Sequence, residues 1–562
     1  MISGLWGLLV GLIHPNWQLA IEGGQVWAGL VGYPSHNPNF IYLNHSWTIL
    51  HQITGIFLMV GISEKMITIL ISGLLGMISC QALSGIVFIF SESLPFSLLF
   101  PVFFYQWEKA MALGANYPIM LWDVPHTYGS LSLSLVILIL VCIAFKKNYI
   151  AGFLLGILPS VHIAWACSLY IILLLIYVFF FKHRKQFNAL LPALTLGGII
   201  SIISFVDYQS NKIDFITHDS LDIYLKAFFQ WDCHRAAIEI SHPAIWINSA
   251  ACIYSLFCLS NEKDNPKQLI YVLMAVGAFL GGLAAILSHY PENLPFIVYQ
   301  LMPTRLLNMT TICFIASLSM GLKLKPFRGY MLIVFTLLFE ITEFFFNFWT
   351  FILWFTFLYS GISVCREIFS NSYKNIRSFC IHHRYMKHIP LFLLIIIHTQ
   401  FMIKNSPHLY QFYLHSDNVL KTAQKTKGML LTASDMMLVQ ARTRCPVLLY
   451  GESLDMAIYA LASAPEMKKI LQDIYGVSLF DPPKSVIHKG GLTRCIDKKL
   501  WEKRSLEEWL ALKNKYHFTH VLTYANYILN LKCTAKNKHY ALYEIRAFQR
   551  STTLREYDDK KK

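Results

Sequence analysis

Apolar residues dominate residues 1–403 in long runs separated by short polar or basic breaks. Single runs lie at about 44–60, 66–90, 128–145, 190–206, 244–259, 269–288, 301–322 and 389–402. Each approaches the roughly 20 residues that an α-helix needs to cross an apolar layer about 30 Å thick. Three longer runs predict hairpins. The run at 94–125 is interrupted by Trp107-Glu108-Lys109 and Asn116-Tyr117-Pro118, 149–181 by Pro159-Ser160-Val161-His162, and 329–364 by Glu340, Glu343 and Asn347. Two spans fit tightly into each of the last two runs, and broken helices are tolerated only where protein or a wet cavity covers their backbone. The pattern predicts roughly ten to thirteen helices around an outward-facing cavity.

The run from Ile2 to Ile13 has no basic flank and no small-residue cleavage site, so it does not read as a signal peptide. At 1.5 Å per residue it covers about 20 Å. Either the chain starts further upstream or this helix does not cross alone.

Beyond about Lys404 the period changes. Residues 428–432 and 446–450 read as strands, and Ser434-Asp435 as the cap of a helix running to Gln440. Residues 454–475 read as a helix stopped by Gly476. Ser505 and Glu508 form a capping box, and 519–523 and 539–545 read as strands. This alternation predicts a small α/β domain at 404–562 after a transmembrane domain at 1–403. It contains no GxGxxG or Walker motif.

Composition agrees with the apolar pattern. Of 562 residues, 55% are hydrophobic and 14% charged, where a soluble domain carries about 25% charged residues. The net charge of +15 is uneven: from Ile403 onward 26 basic residues stand against 15 acidic ones. Such a basic segment suits anionic lipid head groups or phosphates. Nucleic acid is not expected, because no zinc-finger, RNP or helix-turn-helix signature is present. The cysteines show no CxxC pair, so no disulfide framework is implied.

Charge also orients the helices. Lys65, Lys146-Lys147, Lys182 to Lys185, Lys263 and Lys267, Lys323 to Arg328 and Arg366 to Lys387 mark the inner side. Residues 14–47 carry no Lys or Arg and one acid, Glu22, and 207–242 carry six acids, so both read as outer. The span count then puts the C-terminal domain outside, since long domains translocate largely regardless of charge.

Ionisable groups at membrane depth or at its outer edge are costly and are therefore functional candidates. Glu22 can deprotonate or orient an acceptor hydroxyl, or be a solvated loop carboxylate. Near it, Tyr33, His36, Asn37, Asn44 and His45 can hydrogen-bond a sugar stacked on Trp17, Trp27 or Tyr42, or can equally form a turn and an interfacial aromatic belt. Asp123 and His126 can share a proton or bind a phosphate-linked cation; a helix cap and a solvated His are the alternative. His162 follows Pro159 in an apolar run, as a structural or a functional residue. Asp232, His234, Glu239 and His242 form no complete metal-ligand set. Arg305, after Met302-Pro303-Thr304, presents a planar fork suited to phosphate oxygens, unless it only snorkels or pairs with Glu292; His289 lies in the preceding outer loop.

This organisation resembles the GT-C class of multi-spanning glycosyltransferases: an acid in the first outer loop, interrupted helices lining an outward cavity, and a soluble C-terminal domain. Particular runs also look like a bacterial branch of such proteins: 23–40 (GGQVWAGLVGYPSHNPNF), 117–129 (YPIMLWDVPHTYG), 152–162 (GFLLGILPSVH), 300–308 (QLMPTRLLN), 438–451 (LVQARTRCPVLLYG) and 518–525 (FTHVLTYA). The resemblance implies a mainly α, polytopic bundle in a bacterial inner membrane, moving a sugar from a polyprenyl-phosphate donor to an envelope glycan or protein acceptor. Glu22 takes the place of the class's catalytic acid, whereas the class often shows an Asp or a pair of acids there. Arg305, His162, Asp123, His126, His36 and His289 are the candidate substrate contacts. No cofactor is called for, and a divalent metal is left open. A flippase of lipid-linked glycans and an envelope assembly scaffold are the alternatives; the chain shows no convincing internal repeat of the kind transporters often carry.

Overall fold

The computed structural model describes residues 2–13, 19–94, 128–211, 222–232, 237–242, 265–290, 295–308, 417–451, 454–488 and 490–546, with scattered single residues besides. It is mainly helical with a small C-terminal sheet region. The chain divides into two compact units, neither contiguous in sequence. The first holds residues 1–20, 47–211 and 234–414, the second 21–46, 212–233 and 415–562.

In chain order the N-terminal helices are α1 (Ile2–Ile13), α2 (Leu19–Trp27), α3 (Pro38–His45), α4 (Ile49–Met59), α5 (Glu64–Ser91), α6 (Tyr128–Ala144), α7 (Asn148–Val161), α8 (Ile163–Phe179), α9 (Arg184–Asn188) and α10 (Leu191–Asn211). After them come α11 (Asp222–Trp231), α12 (Asn265–Leu287) and α13 (Phe296–Leu301). Among the described residues three helical stretches, Glu64–Ser91, Leu191–Ser210 and Lys267–Leu287, are long and apolar enough to cross a membrane.

In the first unit, glycine sets the helix spacing. A Cβ on Gly7 would meet the Gly76 carbonyl, and one on Gly11 the Ser72 carbonyl, so α1 lies directly against the backbone of α5. Gly152 and Gly156 of α7 meet Leu190, Leu194 and Gly198 in the same way along α10. Such small-residue seams bring helix backbones close where lipid removes the hydrophobic drive for association. The expected hairpin at 149–181 is α7 and α8, broken at His162, which has an extended backbone (φ −161°, ψ 100°). Tyr170 Oη donates to the Leu155 carbonyl (2.7 Å), tying the arms together. The run at 301–322 does not begin as an α-helix: Met302 has φ +50°, and Pro303–Asn308 forms a 3-10 turn. The spans expected at 329–364 and 389–402, and most of 94–125, lie outside the described residues.

In the second unit a four-stranded sheet has the order β1-β4-β6-β5, from β1 (Leu430–Thr432), β4 (His520–Tyr524), β5 (Lys532–Lys536) and β6 (Tyr540–Glu544). A two-residue pair, β2 (Ile487–His488) with β3 (Gly491–Leu492), stands apart. β1 and β4 are parallel, with Leu431 opposite Val521; β4 and β6 are antiparallel, with Leu522 opposite Leu542. The helices of this region are α14 (Asn418–Thr426), α15 (Val439–Thr443), α16 (Ala464–Ile470), α17 (Lys498–Lys503) and α18 (Leu506–Tyr516). Trp501 and Trp509 pack edge-on in the core (5.7 Å), joined by Tyr527, Phe518 and, from α11, Trp231. The Trp231 indole donates to the Leu479 carbonyl (2.9 Å).

The capping box at Ser505 and Glu508 forms as expected. Other boundaries differ. The helix after β1 begins at Val439, because Ser434 and Asp435 turn instead of capping and Leu438 is left-handed. Residues 454–475 are two 3-10 turns, α16 and a π turn, ending at Gly476 (φ +68°). Residues 446–450 make only an isolated parallel bridge, Leu430 to Val447.

The seam predicts a contrast. Gly7→Leu should lower the thermal midpoint of the detergent-solubilised protein, in line with an overpacking cost of about 1–3 kcal/mol. Gly198→Leu, whose Cβ meets nothing within 4 Å, should leave it nearly unchanged.

Candidate functional site

The second unit holds Glu22 in a polar cluster that sequence alone did not reveal. Glu22 lies on the first turn of α2 and is partly buried. Tyr450 Oη donates to Glu22 Oε1 (2.6 Å), and the Ala441 N–H donates to the same oxygen (3.2 Å). Gln440 Nε2 donates to the Glu22 carbonyl (3.0 Å), and Gln25 Nε2 to the Ala441 carbonyl (3.2 Å). Both side-chain bonds of Glu22 therefore fall on one oxygen. Burial raises its carboxyl to about 7, while the Tyr450 and Ala441 hydrogen bonds pull the other way. Tyr450 is pushed well above the usual phenol value by burial and by the Glu22 charge.

The same loop closes the free side of 446–450. Asn37 caps α3 by accepting from the Phe40 N–H (3.1 Å), and its Nδ2 donates to the Val447 and Leu448 carbonyls (3.1 and 3.0 Å). Asn39 Nδ2 donates to the Val447 carbonyl (2.9 Å), and Asn39 Oδ1 accepts from the Tyr450 N–H (3.3 Å). Tyr33 Oη accepts from the Val447 N–H (3.1 Å) and donates to Gln440 Oε1 (2.6 Å). Of the run at 33–38, Tyr33 and Asn37 thus bind backbone inside the unit. His36 is exposed in the turn between them.

In the first unit the structure brings Arg305 and His162 together. Arg305 is 7% exposed, and its Nη1 lies 2.7 Å from His162 Nε2. A guanidinium only donates, so Nε2 accepts and the ring proton sits on Nδ1. The 3.5 Å approach of the Trp165 N–H to Nδ1 is then a contact rather than a competing hydrogen bond. Arg305 Nε also reaches Met302 Sδ (3.2 Å). Trp165, in the first turn of α8, is buried with its indole N–H unpartnered among the described residues. Other polar side chains pair within the same unit. Thr48 Oγ1 donates to the Val161 carbonyl (3.3 Å), His51 Nε2 and Tyr128 Oη are 2.8 Å apart, and Gln52 Nε2 donates to Asp207 Oδ2 (2.7 Å). Trp165, His51, Gln52 and Asp207 were missed; their only sequence signal is polarity inside or beside apolar runs.

His289 is exposed, with Nε2 2.9 Å from the Ile238 carbonyl. Asp123, His126, His234 and Glu292 lie outside the described residues. No group of three or more His, Cys, Asp or Glu placed to hold a metal occurs among the described residues. No family model matches the chain, and no curated protein matches it.

The raised Glu22 carboxyl predicts a pH dependence. A folded-state pKa near 7 against an ordinary value of about 4.5 means that folding takes up a proton between those values. The resulting stability is complete below about pH 4.5, falls as pH rises through 7, and is flat above; at full linkage the shift is worth about 3 kcal/mol. Thermal midpoints followed by Trp fluorescence from pH 4.5 to 8 should show this slope, and Glu22→Gln should flatten it.

Proposed function

We propose that this protein is a membrane glycosyltransferase moving a sugar from a polyprenyl-phosphate donor to an envelope acceptor. The observation that carries the reading is the buried Arg305–His162 pair among apolar helices, with the Trp165 indole, unpartnered among the described residues, in the helix turn that His162 caps. A planar guanidinium matches phosphate oxygens bidentately, and a lipid phosphate supplies them. Through a guanidinium fork Arg305 would hold the donor phosphate and stabilise the charge that grows on it as the sugar–phosphate bond breaks.

Glu22 takes the part of base or acceptor-orienting group. Tyr450 and Ala441 fix one of its oxygens, and a carboxyl titrating near 7 can take a proton at neutral pH. A carboxylate in that part takes the proton of the acceptor hydroxyl as the hydroxyl oxygen bonds to the sugar and the lipid phosphate leaves with the bonding electrons.

One observation favours a second reading, an envelope assembly scaffold. Glu22, Gln25, Tyr33, Asn37 and Asn39 all bind C-terminal backbone or side chains, which is also what a purely structural loop would do.

The placement is a bacterial inner membrane with the second unit outside. Segments 21–46, 212–233 and 415–562 build that one unit, so an even number of crossings must separate them. The basic clusters put the same three segments on the outer side. A reporter active only outside the cytoplasm, fused after Tyr543, should be active; activity of a cytoplasm-only reporter there would reverse the placement.

Donor binding and turnover separate the two roles. Arg305→Ala should weaken binding of a polyprenyl-phosphate sugar in nanodiscs roughly tenfold to a hundredfold, the value of a charge-assisted hydrogen bond of about 1.5–3 kcal/mol. Arg305→Lys should restore part of it. Glu22→Gln keeps an acceptor oxygen for Tyr450 and Ala441, so the fold and donor binding should persist while turnover collapses. Normal donor use by Arg305→Ala defeats the transferase reading, and normal turnover by Glu22→Gln favours the scaffold.

A further inference from the structure

The cations of the second unit are not evenly employed. Arg494 pairs with Asp435 (3.5 Å), Lys515 with Asp473 (2.5 Å) and Lys498 with Glu502 (3.7 Å). Lys421, Lys425, Lys427, Lys532, Lys536 and Lys538 are all exposed, and none makes an ion pair among the described residues. Sequence spreads these six over more than a hundred positions; the fold gathers them. Helix α14 buries Val419, Leu420 and Ala423 and packs on β5 and β6, leaving Lys421 and Lys425 one turn apart on its outer side. Asn537 Nδ2 donates to Asp417 Oδ2 (2.9 Å), which brings the β5–β6 turn, with Lys536 and Lys538, to the start of α14. Cys445 Sγ donates to the Ala423 carbonyl (3.3 Å), so Arg444 is held beside the same helix.

Among the described residues no carboxylate pairs with the six lysines. Residues 418–434 and 525–543 contain no acid. Asp417 is committed to capping the Val419 and Leu420 N–H groups (2.8 and 3.2 Å). Glu544 stands opposite Lys532 in the β5–β6 ladder but pairs with Arg546. A lysine-rich edge strand with an irregularity at Cys533/Ala535 also resists pairing with another strand, so the face suits a diffuse anionic surface better than β-sheet extension.

We infer that the lysine face of α14 and the β5–β6 hairpin docks on an anionic phospholipid surface. Charge complementarity is one argument, because polybasic clusters gain attraction residue by residue at such a surface. The tether is the other. The second unit is continuous with the first at positions 20, 46, 211, 233 and 414. Residues 403–416, which link it to the last predicted span, reach at most about 50 Å when extended.

Cys533 is exposed on β5 among these lysines and reports on the face. The full chain would be placed in nanodiscs of neutral lipid or of neutral lipid with phosphatidylglycerol. The modification of Cys533 by N-ethylmaleimide would then be timed by peptide mass spectrometry, with Cys495 as internal reference. The anionic discs should slow Cys533 at least roughly threefold relative to neutral discs. Rates should converge at 1 M salt, where the Debye length falls to about 3 Å. The charge-reversed protein K421E/K425E/K536E/K538E should show no difference between discs. Equal rates in both discs for the unaltered protein overturn the inference, as does protection that survives charge reversal. Protection by soluble inorganic polyphosphate in neutral discs, without protection in anionic discs, also overturns it and assigns the face to a soluble acidic partner.

Discussion

Residues 446–450 run beside β1 with one side of their backbone uncovered by any strand, and closing that side is the constraint on which the second unit depends. An unpaired N–H or C=O in a buried segment costs about as much as a lost hydrogen bond. Here the partners come from side chains hundreds of residues earlier: Tyr33, Asn37 and Asn39 satisfy Val447, Leu448 and Tyr450. Side chains reach without imposing a strand's register, so a loop of two short helices can do the work of an edge strand. Glu22 is the electrostatic counterpart. Its carboxyl is drawn from water but faces two donors, and the balance leaves it titrating near neutrality rather than permanently charged.

Locally encoded features were legible in the sequence. The Ser505–Glu508 cap, the stop at Gly476, strands β1, β4 and β6 and the break at His162 all follow from residue chemistry within a few positions. The features that needed distant partners were not. The stretch 446–450 has a strand's composition, yet its outer neighbour is a loop, so no ladder forms. β5, with its lysines, carries no hydrophobic alternation and pairs with β6 as its one strand neighbour among the described residues. Glu22 could be singled out as the lone acid of its loop, but nothing near it in sequence announces Tyr450. Likewise Arg305 and His162 could each be suspected, while their meeting depends on how α8 and the 3-10 turn at 303–308 pack.

The first unit solves a different problem. Apolar side chains give helices in lipid little reason to prefer one another, so position must come from shape and polar contacts. The glycine seams of α1 with α5 and α7 with α10 supply the shape. Tyr170, Ser201 and Thr48 add hydrogen bonds to backbone carbonyls of α7. Ser201 binds Gly156 of that helix and Thr48 binds its last residue, Val161, so α7 is held along its length up to the break at His162. A helix fixed in this way can present His162 to Arg305 in a set orientation, whereas a helix packed only by leucines could rotate.

Orientation matters because a guanidinium can use a neutral imidazole only as an acceptor, so the two planes must meet in one geometry. The imidazole accepts one hydrogen bond at Nε2, so the Nη1 contact sets the direction of the guanidinium plane. A guanidinium adds to that hydrogen bond a planar fork of N–H donors of fixed geometry. On the function proposed above, the histidine would set the orientation of the fork and the donor phosphate would meet it there.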